Sequence, residues 1–250
     1  MSLYDPAKRK LVKAFSISMP LRHCYTWIFP RGKALWMASI QDIRIRQELG
    51  KEPTRELEGF PYMFNGVTVW RSDDYASKDP AAILYKESHY DPVDNPRADL
   101  RIQDAYLDTH DRLHVLYHYR SNQTNHGGQM WHMIADANGT ILYNAHTPQV
   151  RSYTRMLQDT QGRHYILCDR KEGGAQLMGA IDTLGSRYGE PVPLDLGPYK
   201  VTYSNYAWAD PRMGVPLSDS VDVVFPAGRG EQWVYFRLHL RTPTEPKAAD

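Results

Sequence analysis

Turn chemistry that returns every fifty-odd residues constrains this chain more than any other feature. The segment YLDTHDRLHVLYHYR (Tyr106 to Arg120) lies over LQDTQGRHYILCDRK (Leu157 to Lys171), so that the turns THDR and TQGR superimpose and Asp111 stands opposite Gly162. Downstream, NHGGQMWHMIADANG from Asn125 falls over KEGGAQLMGAIDTLG from Lys171, matching Gly127-Gly128 to Gly173-Gly174 and Asp136 to Asp182. The step from Asp111 to Gly162 is 51 residues, and 52 more reach Gly214 in YAWADPRMGV, where a third copy follows with GRGEQWVYFRL as a later strand. A more diverged copy lies upstream, with CYTWIFPRGKALWMAS as its first two strands and FNGVTVWRSDD as its third.

Each copy reads as strand, turn, strand, Gly-containing turn, strand, turn, strand. Four antiparallel strands repeated at this period predict an all-β chain with the blades of a β-propeller. One four-stranded sheet cannot cover both of its faces, whereas radial stacking of similar sheets buries them and leaves only short edges. A sandwich also alternates short strands, but it does not repeat its turn chemistry in register. The expected organisation is one propeller domain over 1–250, with blades near 20–90, 100–147, 148–196 and 198–241. The last copy runs out without a clear fourth strand, and the strand-like run Lys10 to Met19 belongs to no copy, so it is expected to complete the last blade. Helical pattern is scarce. Only Ile40 to Gly59 could carry a short helix, and its charge density and Pro53 suggest an exposed connection.

With 30 basic and 29 acidic residues the charge nearly cancels, which argues against a nucleic-acid binder working through bulk positive charge. The 17 Tyr, 6 Trp and 6 Phe favour strands and also supply stacking faces for sugars. Cys24 and Cys168 lie far apart in strand-like runs and read as two buried thiols rather than a disulfide. No apolar run approaches the ~18 residues of a membrane span. The start MSLYDPAKRK has no apolar stretch after its basic residues, so the expectation is cytoplasmic, or secreted or periplasmic if the native N-terminus lies further upstream. No P-loop, dinucleotide fingerprint, nucleophile elbow or Cys-x-x-Cys pair is present, and no cofactor is expected.

Three turns carry a resemblance. SDDYASK retains Ser72 and Asp74, IADANGTIL retains Asp136 and Thr140, and AIDTLGSRY retains Asp182 with Ser186 and Tyr188 at the Thr and Trp places of the pattern Ser-x-Asp-x-Gly-x-Thr-Trp. This resembles the Asp-box of sialidase-type (BNR) propellers, in which the Asp pins the turn between the third and fourth strands and is structural. The copy DRLHVLYHYRSNQTNHGGQMW is similar to BNR-like propellers that include polysaccharide lyases, with Arg120, Asn125 and His126 at the matching places. That resemblance implies an acid/base histidine or tyrosine and a cation that offsets a uronate carboxylate. The chain lacks an evident sialidase set of three arginines with a nucleophilic Tyr and Glu.

The residues themselves leave alternatives open. His126 follows an Asn-rich turn and precedes two glycines that allow close approach of a ligand; it is either a general base or a loop histidine bonding a turn carbonyl. Tyr119 and Arg120 end one strand, and Arg170 holds the corresponding place in the next copy; the arginines either grip a sugar carboxylate or make the same structural bridge twice. His114 and His118 share a strand face at ~13 Å, too far apart for one ion, so they read as core or cavity-wall histidines and no metal is expected. His146 and His164 fall near the first strand of the following copy. Tyr106, Arg155 and Trp208 sit on first strands, which line the channel of a propeller, and they either face a glycan or pack between blades. The functional expectation is a propeller that binds an acidic polysaccharide or oligosaccharide. It cleaves that glycan by β-elimination or hydrolysis, with His126, Tyr119 and His146 as catalytic candidates and Arg120, Asn125, Arg155, Arg170, Tyr106 and Trp208 as binding candidates. The alternative is a non-catalytic glycan- or protein-binding propeller.

Overall fold

The computed structural model describes residues 2–14, 23–44, 62–73, 81–91, 94–95, 98–120, 128–148, 150, 154–170, 174–197, 207–209, 217–227 and 232–240. All regular structure in them is β. Strands β3 (His23–Arg31), β4 (Ala34–Arg44), β5 (Tyr62–Ser72) and β6 (Ala81–Glu87) form one sheet in chain order. A second contains β7 (Asp99–Leu107), β8 (Leu113–Arg120), β9 (Gln129–Ala135) and β10 (Ile141–His146). The third contains β11 (Arg155–Gln158), β12 (His164–Asp169), β13 (Ala175–Gly179) and β14 (Val192–Pro193). The last has three described strands, β15 (Ala207–Ala209), β16 (Ser220–Ala227) and β17 (Gln232–His239). These meanders are the blades of an all-β propeller fold.

Two expectations are corrected. The described part of the run from Lys10 is not in the last sheet: β2 (Lys10–Ala14) pairs with β1 (Ser2–Asp5) in a separate hairpin. Its four-residue turn, with Arg9 at a φ of 52°, brings the two strands together locally, which costs far less chain entropy than reaching the other end of the sequence. The described part of the segment read as a short helix or exposed connection is strand as well. Ile40 to Arg44 ends β4, and Ile40, Gln41 and Asp42 are buried, because they continue the pairing with β5.

The chain divides into two compact units: Met1–Ile102, Tyr117–Gly128 and Asp136–Ile141 in the first, and Gln103–Leu116, Gln129–Ala135 and Leu142–Asp250 in the second. In the first unit β4 is buried without a break from Leu35 to Asp42, as a strand covered on both faces must be. In the second unit the period of two is explicit on β12. Tyr165 and Leu167 join Leu157, Val221, Val223 and Leu238 in one core, while Ile166 and Cys168 join Tyr106, Leu116, Met130, Met156 and Met178 in another. Both faces of this blade are therefore apolar and covered, and each large side chain contributes about 1.5–3 kcal/mol of burial. Cys24 and Cys168 are thiols and form no disulfide.

Polar ties repeat at nearly the blade period within the second unit. The Arg155 guanidinium donates to the carbonyl of Gln103 (2.8 Å), and the Met156 amide donates to Asp104 (2.7 Å). The Gln158 amide group holds the next turn, accepting from the Thr109 amide (3.1 Å) and donating to its hydroxyl (3.2 Å). Such bonds satisfy buried groups and set the offset between blades, where apolar contact alone is indifferent to sliding.

Candidate functional site

The site grows out of the repeated turn Asp-Thr-x-x-Arg. In the turn after β7, Asp108 Oδ1 accepts the amides of His110 and Arg112 (both 2.8 Å), and Oδ2 accepts Arg112 Nε (2.6 Å). Asp159 does the same after β11, its Oδ1 accepting the amides of Gln161 and Arg163 (both 2.9 Å) and its Oδ2 accepting Arg163 Nε (2.6 Å). Asp111 and Gly162, matched in the sequence, both take positive φ, 59° and 77°, so the shared turn has one backbone geometry. Both carboxylates have a further donor on the following strand, and here the copies part. Tyr165 fills that slot for Asp159 through its hydroxyl (3.0 Å), whereas His114 fills it for Asp108 through Nε2 (3.2 Å).

That exchange places an imidazole where others gather. His114 Nδ1 lies 3.1 Å from His132 Nε2 on β9. His164, from β12, hydrogen-bonds through Nδ1 to the Tyr106 hydroxyl, and its Nε2 lies 3.3 Å from an Arg112 nitrogen and 3.8 Å from Asp108 Oδ2. Arginine can only donate, so Nε2 of His164 accepts from it and the neutral ring carries its proton on Nδ1, toward Tyr106. Asp108, His114, His132 and His164 are all at most 1% exposed.

Burial decides the charge state of this group. Burial alone raises the Asp108 carboxyl, but the hydrogen bond and charge of His114, with the hydrogen bonds from the amide and side chain of Arg112, outweigh it and hold the group well below the usual carboxylate range. Burial lowers His114 against the pull of Asp108. It lowers His132 much further, with repulsion from His114 and His164 added. His164 is pushed down to about 3, by burial first and then by His114. One anion, one guanidinium and three neutral imidazoles therefore share the cluster at neutral pH.

Two adjoining pockets open beside His164. The first, about 480 Å³, is lined by the turn residues His110, Arg112 and Gln161 to His164 on one side and by Ala180 to Thr183 on the other. The second, about 370 Å³, runs past Tyr165, Gly179, Ile181, Gly189 and Glu190. Asp182 anchors the wall they share. It accepts the Ser186 amide (2.9 Å) and hydroxyl (2.6 Å), and Asp136 accepts the amides of Asn138 and Thr140 (both 2.9 Å). The Asp182 turn lies directly on the histidine: a Cβ added to Gly185 would come within 2.7 Å of the His164 ring, and the Thr183 carbonyl accepts from Arg112 (3.1 Å).

Of the residues singled out in the sequence, Tyr106, His114 and His164 enter this cluster. Arg155 spends its guanidinium on the Gln103 and Thr154 carbonyls. His146 ends β10 with its ring exposed, 6.3 Å from Trp131. Arg170 follows β12, half-buried, with its amide bonded to the Gly174 carbonyl (3.0 Å). In the first unit Tyr119 lies under Lys86, whose ammonium is 5.2 Å from its ring, and Arg120 ends β8 half-buried. Asn125 and His126 lie outside the described residues, and Trp208 is described only by its backbone pairing with Val223. The second glycine before β9 makes its close approach to protein: a Cβ on Gly128 would meet His118 Nε2 at 2.2 Å. Sequence reasoning passed over Asp108, Arg112 and His132. The available signal was the repeated Asp-Thr-x-x-Arg turn, followed by His in one copy and Tyr in the other.

A comparison with protein-family models and with characterised proteins finds no match. Solved structures do resemble the chain. RS223-β-xylosidase is 10% identical with a TM-score of 0.50, over 91% of this chain and 77% of that one. An α-L-arabinanase of Penicillium chrysogenum, complexed with arabinobiose, is 9% identical with a TM-score of 0.50, over 86% of this chain and 57% of the arabinanase. At such identity the likeness speaks to architecture, and it agrees with the repeat and the sheets: this chain has the fold of a β-propeller.

Proposed function

We propose that the protein is a carbohydrate-recognising propeller whose second unit holds one or two sugar rings in the paired pockets beside His164. The observation that carries this reading is the make-up of the wall. Planar hydrogen-bonding groups, Arg112, Gln161, Arg163 and Asp182, surround Ile181, which is 63% exposed. Pre-fixed planar polar groups around an apolar surface suit a ring with hydroxyls on its rim and C–H bonds on its faces. The fixing is direct, since Asp108 holds Arg112, Asp159 holds Arg163 and the Ser186 hydroxyl holds Asp182. The architecture shared with a xylosidase and an arabinobiose-binding arabinanase supports the same ligand class.

The described pocket favours binding over turnover. Glycoside hydrolysis needs one carboxyl held protonated and a second free to act as base or nucleophile. Asp108 and Asp182 are both shifted toward the ionised form by their donors, and both nitrogens of His164 are occupied. A second reading, cleavage, is favoured by the likeness to two glycosidases. Within it, the BNR resemblance assigns β-elimination of an acidic glycan to His126 with Tyr119 and Arg120. The Asp136 and Asp182 turns support that family assignment.

Calorimetric titration against neutral xylo- and arabino-oligosaccharides and against uronate oligosaccharides tests the binding reading. We expect millimolar or tighter binding of at least one class, weakened about tenfold or more by Ile181→Arg, which fills the pocket mouth. No binding across the panel, or binding that ignores Ile181→Arg, defeats it. Release of reducing ends, or ultraviolet absorbance of an unsaturated product, in the same mixtures decides for cleavage.

A further inference from the structure

The repeat supplies an internal control for a site that neither the fold nor the sugar pocket requires. Asp108 and Asp159 occupy equivalent turns with equivalent arginines, yet among the described residues imidazole nitrogens meet Asp108 and a tyrosine hydroxyl meets Asp159. The three donor atoms of Asp108, His114 and His164 lie within 4.8 Å of one another, and all three residues are buried. From Asp108 Oδ2 the two Nε2 atoms are 3.2 and 3.8 Å away, close to the ~3.3 Å edge of a tetrahedron of ligands around zinc. The face of each ligand turned away from this centre is also held. Asp108 Oδ1 accepts two backbone amides, His114 Nδ1 meets His132, and His164 Nδ1 meets Tyr106. Outer-shell bonds of this kind orient metal-binding side chains and fix their tautomers.

We propose that Asp108 Oδ2, His114 Nε2 and His164 Nε2 form a divalent-cation site of zinc type, and that the Arg112 guanidinium and the ion are alternative occupants of it. Arg112 already stands where a cation belongs, 2.6 Å from Asp108 Oδ2 and 3.3 Å from His164 Nε2. Its other contact is the Thr183 carbonyl at the pocket wall, so it has a path outward into a cavity of about 480 Å³. Two imidazoles with one carboxylate suit zinc and its first-row neighbours rather than calcium or magnesium, which prefer oxygen. To release its Nε2 lone pair, His114 moves its proton to Nδ1 and takes His132 as acceptor, which shifts the His132 proton to Nδ1. That atom makes no hydrogen bond, so the shift gives up only the His114 Nε2–H bond to Asp108 Oδ2, whose place the ion takes, and releases no proton. The second copy cannot bind the ion, because Tyr165 stands where His114 does.

The test uses the full chain, stripped with a chelator and titrated with zinc and with cobalt(II) alone. We expect one equivalent of zinc retained after desalting, and a cobalt spectrum with the intense visible bands of four-coordinate geometry. His114→Tyr, which copies the second blade and keeps the donor to Asp108, should lose both while its circular dichroism and melting remain those of a folded chain. Arg112→Gln should bind zinc about tenfold more tightly, since the competing cation is gone. Absence of stoichiometric zinc in the wild type, or an unchanged cobalt spectrum in His114→Tyr, overturns the site. Unchanged or weaker zinc affinity in Arg112→Gln overturns the exchange of guanidinium for metal.

Discussion

The two glycine pairs that the repeat superimposes allow a substitution experiment with its own control. Gly128 and Gly174 both take positive φ, 67° and 88°, so alanine at either position carries the strain of a left-handed residue, about 1–2 kcal/mol. They differ in their surroundings. A Cβ on Gly174 meets nothing within 4 Å, whereas one on Gly128 would sit 2.2 Å from His118 Nε2, 2.6 Å from Cε1 and 3.0 Å from the Tyr119 carbonyl. His118 is 6% exposed with Asp99 Oδ2 3.6 Å from its Nδ1, so the ring has little freedom to retreat, and the Tyr119 carbonyl is backbone. Crowding of that kind adds roughly 1–3 kcal/mol. Gly174→Ala should therefore cost about 1–2 kcal/mol and Gly128→Ala about 2–5 kcal/mol, read from urea unfolding followed by tryptophan fluorescence. Adding His118→Ala to Gly128→Ala removes the obstructing ring, and the double-mutant cycle should show a favourable coupling of about 1 kcal/mol or more. Equal costs for the two alanine variants, or no coupling to His118, would refute the claim that Gly128 is required by a side chain rather than by its backbone angle alone.

Acid should unfold the metal-stripped protein earlier than its carboxylates alone predict. His114, His132 and His164 all have folded-state values below the ordinary 6.5, so below that pH the unfolded chain binds protons that the folded chain refuses. Stability is then full above about pH 6.5 and falls with pH by as much as ~1.4 kcal/mol per unit for each histidine, until His164 itself titrates near pH 3. Urea midpoints between about pH 7 and pH 5 measure the slope, and His132→Leu should flatten it; a flat profile in the wild type contradicts the assignment of neutral buried rings. Asp108 and Asp182 are depressed instead, so their contribution persists down to about pH 4 and is lost below it. Tyr165→Phe removes one of the side-chain donors to Asp159 and should cost about 1.5–3 kcal/mol, as for a hydrogen bond to a charged group. Leu167→Ala empties a fully buried position between two sheets of the second unit and should cost about 2–5 kcal/mol, with little effect on pocket binding measured by calorimetry.

The blade architecture was readable because its determinants are local. Alternation on β12 assigns Tyr165 and Leu167 to one face and Ile166 and Cys168 to the other, and the turns announce themselves through Asp111 and Gly162, residues suited to the same positive φ. The edge of the chain was less readable. Lys10 to Ala14 has the composition of any strand, and what decides its partner is the competition between a nearby turn and a distant sheet edge. The site was legible only in fragments. Along the sequence His114 pairs by spacing with His118 on the same strand, whereas its partners are Asp108 in the preceding turn, His132 on the next strand and, within the same cluster, His164, 50 residues further on in the next blade. Tyr106 and His164 meet across 58 residues.

A repeat tells a reader which positions are equivalent; function is better sought where equivalent positions carry unlike residues. The donor to the turn aspartate is a hydroxyl at Tyr165 and an imidazole at His114, and both satisfy the carboxylate equally well as structure. The imidazole differs in having a second nitrogen. Through it His114 reaches His132, and burial strengthens that link between two rings on neighbouring strands. The same reasoning separates Asp182 from Asp136. Both pin a turn through the amide four residues on, but of the two it is the Asp182 turn that lies on a histidine ring and forms a pocket wall. A scaffold element becomes part of a site here through one changed neighbour, with its own geometry untouched.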